Sequence, residues 1–88
     1  MGFVLKNKLI EVENFCDKPE EGFLVAAADL KKYLDTAVGT WHTHPGKTSN
    51  LSANDYQTFI NFPSWDHYIV GTDGVTCYRV SEGRLIVV

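Results

Sequence analysis

Within fifteen residues, Trp41-His42-Thr43-His44-Pro45 and Ser52-Ala53-Asn54-Asp55 gather two imidazoles, a hydroxyl and a carboxylate. Imidazole nitrogens and carboxylate oxygens are the ligands of catalytic zinc, where three protein groups leave a further position for water. The chemistry to expect is therefore metal-assisted hydrolysis. Side chains two apart on a strand point to the same face, so His42 and His44 can present their rings side by side while Thr43 points away. Asp55 returns eleven residues after His44, in the first turn of a helix, and would supply the third ligand. The imidazoles favour Zn2+ over magnesium, although nickel, copper and iron accept the same donors.

Each part of this set also has a plainer explanation. Ser52 to Asp55 matches a capping box, in which Ser52 caps a helix and Asp55 answers the N-terminal backbone donors. Ser52 can do both jobs. His67, in Ser64-Trp65-Asp66-His67, has no partner at metal spacing and reads as structural.

The elements that must hold these residues can be read from periodicity. Phe3 to Leu5 and Leu9 to Phe15 read as two strands joined by the polar turn Lys6-Asn7-Lys8, and Asp17 to Gly22 as a breaker loop leading into Phe23-Leu24-Val25. From Ala26 to about Ala37 the apolar positions Leu30, Tyr33, Leu34 and Ala37 recur at helical spacing. Val38 to His42 reads as a third strand ending in the Pro45-Gly46 loop, and a second helix starts near Ser52, carries Tyr56, Phe59 and Ile60, and stops at Pro63. Tyr68 to Val70, Val75 to Val80 and Leu85 to Val88 are strand-like, separated by two glycine-containing turns. The expectation is one α+β domain over residues 1–88, a mixed sheet of about six strands with two helices packed on it.

Composition narrows the function. A hydrophobic fraction of 44% and a net charge of −3 describe an ordinary globular chain with no basic excess. The lysines Lys6, Lys8, Lys18, Lys31, Lys32 and Lys47 are scattered, with no aromatic-interleaved basic stripe to suggest nucleic acid. No apolar run approaches the roughly 18 to 20 residues of a membrane span, and the start lacks a signal peptide's architecture, so a cytoplasmic protein is expected. Cys16 and Cys77 form no C-x-x-C pair and read as small core residues.

The composite His42-Thr43-His44-Pro45, six intervening residues, then Ser52-Ala53-Asn54-Asp55 resembles the JAMM signature of the MPN/JAB zinc metallopeptidase family. The likeness covers nearly the whole chain. Glu20-Glu21-Gly22-Phe23-Leu24-Val25 resembles the phage tail-assembly branch of that family, which would place the protein in a host cytoplasm. The resemblance implies a cytidine-deaminase-like fold without the usual N-terminal helix, zinc on His42, His44 and Asp55, and Ser52 as the donor to an oxyanion. It implies hydrolysis of a peptide-type amide in a peptide or protein substrate. Family members take a general-base glutamate from a stretch resembling E-x-C-G just before the first strand. Here the matching glycine is Gly2, so the glutamate's place falls ahead of Met1, and the chain reads as a short protein or a fragment. Glu11, Glu13, Glu20 and Glu21 are the nearby carboxylates, and a partner subunit could also lend one.

Two further functions follow from the same residues. One is a zinc-binding, catalytically impaired JAMM domain with an assembly or scaffolding role. The other is a metal-free domain in which the histidines are incidental. A chain without the opening helix is also expected to cover apolar sheet surface by pairing with itself.

Overall fold

The computed structural model describes residues 1–12, 27–44, 46 and 48–88. In chain order the elements are β1 (Gly2–Val4), β2 (Leu9–Glu11), α1 (Ala27–Tyr33), β3 (Gly39–Thr43), α2 (Ala53–Asn61), β4 (Asp66–Gly71), β5 (Gly74–Ser81) and β6 (Arg84–Val87). The strands form one six-stranded sheet in the order β2-β1-β3-β4-β5-β6. Among the described strands only β3 and β4 run parallel, and α2 is the crossover that a parallel pair requires. The fold is α+β, a mixed six-stranded sheet with two helices packed on it.

Strand register decides which side chains share a face. Phe3 pairs with Thr40, Thr40 with His67, His42 with Ile69 and His67 with Tyr78, so these residues line one face of the sheet. That face is the buried one. Phe59 of α2 packs on Ile69 and Tyr78, with Leu51 and Leu85 at the margin. Towards β1, the Phe3 ring meets Tyr33 at 5.3 Å and Trp65 at 5.6 Å between centroids. On the other face Asp66 and Arg79, cross-strand partners, form a two-pronged ion pair at 2.8 and 2.9 Å. The Trp41 indole N–H also lies on that side and donates to the Ile10 carbonyl across Gly2, where a Cβ would stand 2.7 Å from the indole nitrogen.

Most expected elements are present with shifted ends. The first helix is shorter than Ala26 to Ala37, because Thr36 and Ala37 already turn back onto the Tyr33 carbonyl and Val38 bonds to Val4 at the start of the β1–β3 ladder. Leu34, expected on the apolar stripe, is therefore exposed. Sheet pairing outcompetes the helical pattern there. The fourth strand is longer than Tyr68 to Val70, since Asp66 and His67 join the ladder opposite Arg79 and Tyr78. Cys77 is half-buried on β5 on the face that carries Arg79, opposite the core face of Tyr78, so it is not the core residue expected. Cys16, the loop from Asp17 to Gly22 and the Phe23-Leu24-Val25 stretch lie outside the described residues.

Candidate metal centre

His42 sits in β3 and His44 one residue beyond it, so the strand period places both rings on the buried face and leaves Thr43 exposed. The backbone N–H of His44 still bonds to the Val70 carbonyl of β4, which carries the strand direction to the second histidine. Asp55 enters from α2. Ser52 is the N-cap: its hydroxyl accepts from the Asp55 N–H at 3.1 Å, and its own N–H donates to Asp55 Oδ2 at 3.2 Å. The capping box is thus complete, and it aims the carboxylate back along the helix start towards β3. Four residues later Phe59 shares the Asp55 side of α2, and its burial presses that side onto the sheet.

The three groups converge. His42 Nε2 lies 3.0 Å from Asp55 Oδ1, His44 Nε2 lies 3.0 Å from Asp55 Oδ2, and the two Nε2 atoms are 3.2 Å apart. All three side chains are almost wholly out of solvent, at 1%, 4% and 0% exposure for His42, His44 and Asp55. Burial pushes the Asp55 carboxyl up, but the facing His42 imidazole and the two Ser52 contacts outweigh it and hold it below its ordinary range. It is a buried anion. Asp55 Oδ1 makes no properly aligned hydrogen bond among the described residues.

The donor chemistry of this set calls for a cation. His44 Nδ1 is 3.0 Å from the Thr48 carbonyl, which can only accept, so Nδ1 carries a proton, and in a neutral imidazole the lone pair is then on Nε2. That lone pair faces a carboxylate oxygen, another acceptor. Two acceptors 3.0 Å apart repel unless a proton or a metal ion lies between them. A tetrahedral zinc site with bonds of ~2.0–2.1 Å has ligand atoms roughly 3.3 Å apart. The observed separations suit that size. His42, His44 and Asp55 form a group that could hold a metal ion.

The other expected residues fall elsewhere. His67 is fully buried, stacks on Phe59 at 4.2 Å, donates from Nε2 to the Phe62 carbonyl and receives the Thr40 hydroxyl on Nδ1 at 2.6 Å. Its role is structural, as its isolation in sequence suggested, and burial lowers its pKa to about 4. Glu11 is exposed on β2 and pairs with Gly2, whose partner Trp41 is on the face opposite His42, so it does not reach the site. Glu13, Glu20 and Glu21 lie outside the described residues, as does Pro45. Sequence reasoning missed Ser49, in the loop after His44, and Asp73, Thr76 and Tyr78, each of which bonds to it. A serine in a loop and an aspartate in a turn carry no ligand spacing that would have singled them out.

Comparison of the chain with family models, curated proteins and solved structures gave no match in any of the three. The class of protein defined by fold and site is an α+β mixed sheet with a buried His-His-Asp group able to hold a metal ion. No helix among the described residues is long and apolar enough to cross a membrane.

Proposed function

We propose that this chain is a JAMM-type zinc hydrolase that cleaves a peptide-type amide, with His42, His44 and Asp55 as metal ligands and Ser52 as oxyanion donor. The observation that carries this reading is the meeting of His42 Nε2, His44 Nε2 and the Asp55 carboxylate within 3.0 to 3.2 Å, with the His44 proton held on the far nitrogen. When bound, zinc supplies Lewis-acid polarisation of a carbonyl and a hydroxide-like nucleophile near neutral pH. The chain's own residues do the rest. The Thr48 carbonyl orients His44, the α2 N-terminus steadies the Asp55 charge, and capping uses a lone pair of the Ser52 hydroxyl, which is compatible with its O–H donating to an oxyanion.

The register of β1 bears on the general base. Gly2 faces Trp41 and Phe3 faces Thr40, so a residue three positions ahead of Gly2 would face His44, on the same side of the sheet as Phe3. That is where E-x-C-G puts its glutamate. A carboxylate there, from this chain or a partner, would stand beside the candidate ligands and serve as the proton carrier.

A second reading is favoured by one observation. Among the described residues the group contains no carboxylate besides Asp55. A metal-binding, catalytically impaired domain with an assembly role, such as in a phage tail, fits that arrangement. Metal analysis of the purified chain, followed by incubation with a peptide library with and without chelator, separates the readings. One zinc per chain with chelator-sensitive cleavage that His44→Ala abolishes supports hydrolysis. Zinc without cleavage supports assembly, and a chain that takes up no metal refutes both.

A further inference from the structure

The loop between His44 and α2 is anchored at Ser49. This residue is 3% exposed, and each of its three polar groups meets a side chain of the turn and strand that follow β4. Its N–H donates to Asp73 Oδ1 at 2.7 Å, its hydroxyl shares a hydrogen bond with Thr76 Oγ1 at 2.6 Å, and its carbonyl accepts from the Tyr78 hydroxyl at 3.1 Å. The Ser49 N–H belongs to the same peptide group as the Thr48 carbonyl, which accepts from His44 Nδ1. A continuous path therefore runs from the His44 imidazole through one peptide unit to the Asp73 carboxylate.

We propose that Asp73 is a positioning residue for the metal centre, acting on His44 through the Thr48–Ser49 peptide. The proposal rests on His42, His44 and Asp55 being metal ligands. Metal-bound histidines commonly give their second N–H to a carboxylate, which fixes the ring and raises the basicity of the ligating nitrogen. Here a peptide stands between. In a trans peptide the N–H and C=O point in opposite directions along nearly one line, so an anion on the N–H side makes the carbonyl oxygen a stronger acceptor. Such polarisation strengthens a neighbouring hydrogen bond by about 10–30%. Asp73 keeps its charge in this role, since the Ser49 contacts hold its carboxyl below its usual range. Thr76 and Tyr78 hold the same serine without adding charge, so geometry and electrostatics can be varied separately.

The test compares Asp73→Asn, Asp73→Ala and Thr76→Val in the whole chain. Asp73→Asn keeps an acceptor oxygen for the Ser49 N–H and removes only the charge. Zinc affinity, measured by competition with a chromophoric chelator, is expected to fall severalfold in Asp73→Asn and by about 10 to 100-fold in Asp73→Ala. The loss in Thr76→Val should be smaller than in either. In metal-free protein, nitrogen-15 NMR should find a downfield His44 Nδ1–H resonance that shifts upfield in both Asp73 variants. Unchanged affinity and an unchanged Nδ1–H resonance in both would overturn the proposal, as would a loss in Thr76→Val equal to that in Asp73→Asn. If the wild-type chain binds no zinc, the ligand assignment fails instead, and a His44 resonance that still follows Asp73 upholds the peptide path by itself.

Discussion

Asp55 serves two masters, and the conflict between the two plain readings of its motif dissolves at the atomic scale. Its backbone N–H and one carboxylate oxygen complete the capping box with Ser52, while the same carboxylate faces His42 and His44 at 3.0 Å. Substitutions separate the two jobs. Asp55→Asn keeps a side chain able to accept at the helix start but removes the anion, and zinc affinity should drop on the order of 100-fold or more, beyond what loss of an outer partner costs. Isothermal titration would register it. Ser52→Ala should cost about 1 kcal/mol of stability through the lost cap, read by urea unfolding, and about 100 to 1,000-fold in turnover if the hydroxyl serves an oxyanion. Ser52→Thr, which retains a hydroxyl cap, should restore most of both. An Ala variant with full turnover would leave Ser52 a cap and nothing more.

Between residues and fold stands α2, whose placement decides whether Asp55 meets the histidines at all. Phe59 carries that placement: it is fully buried, packs on Ile69 and Tyr78, and stacks on His67, which in turn ties the end of the helix to β4 through the Phe62 carbonyl. Phe59→Ala should destabilise the fold by about 3–5 kcal/mol. His67 adds a pH dependence whose sign follows from its burial. Its folded-state pKa is lowered to about 4 from the ordinary 6.5, so the folded chain resists the protonation that the unfolded chain accepts. Stability is full above about pH 6.5 and declines as pH falls towards about 4, by about 3 kcal/mol in total. Urea unfolding at pH 7, 5 and 4 measures it, and His67→Gln should flatten the decline. The helix, strand and turn patterns were legible because each depends on neighbours within a few residues. The first helix ends short of its apolar pattern for the opposite reason: Val38 bonds to Val4, a partner 34 positions away in the chain, and no local pattern announces that ladder.

At the scale of the whole molecule, a metal that binds only the folded chain must stabilise it. Zinc at about 1,000 times its dissociation constant should add about 4 kcal/mol, seen as a rise in melting temperature that chelator reverses. A melting temperature indifferent to zinc and to chelator would count against the centre. The β1 register makes a second whole-molecule prediction: a chain carrying Glu-Ala-Cys ahead of Gly2 in place of Met1 should cleave peptide at least about 100-fold faster than one carrying Gln-Ala-Cys, because the added carboxylate faces His44 and can move protons.

By itself the sequence determined the donor types, the two-residue period that puts His42 and His44 on one side of a strand, and the cap that starts α2 at Ser52. These are short-range matters of backbone geometry, and they are written in the residues concerned. The set of His42, His44 and Asp55 was legible from its spacing, whereas only the tertiary structure decided that Thr48 holds a proton of His44 on its far nitrogen and that Ser49 ties this arrangement to Asp73, Thr76 and Tyr78. The reason is physical. The Ser49 contacts join segments brought together by the β3–α2–β4 crossover and the β4–β5 ladder, and, unlike the set of His42, His44 and Asp55, they leave no spacing in the chain to read.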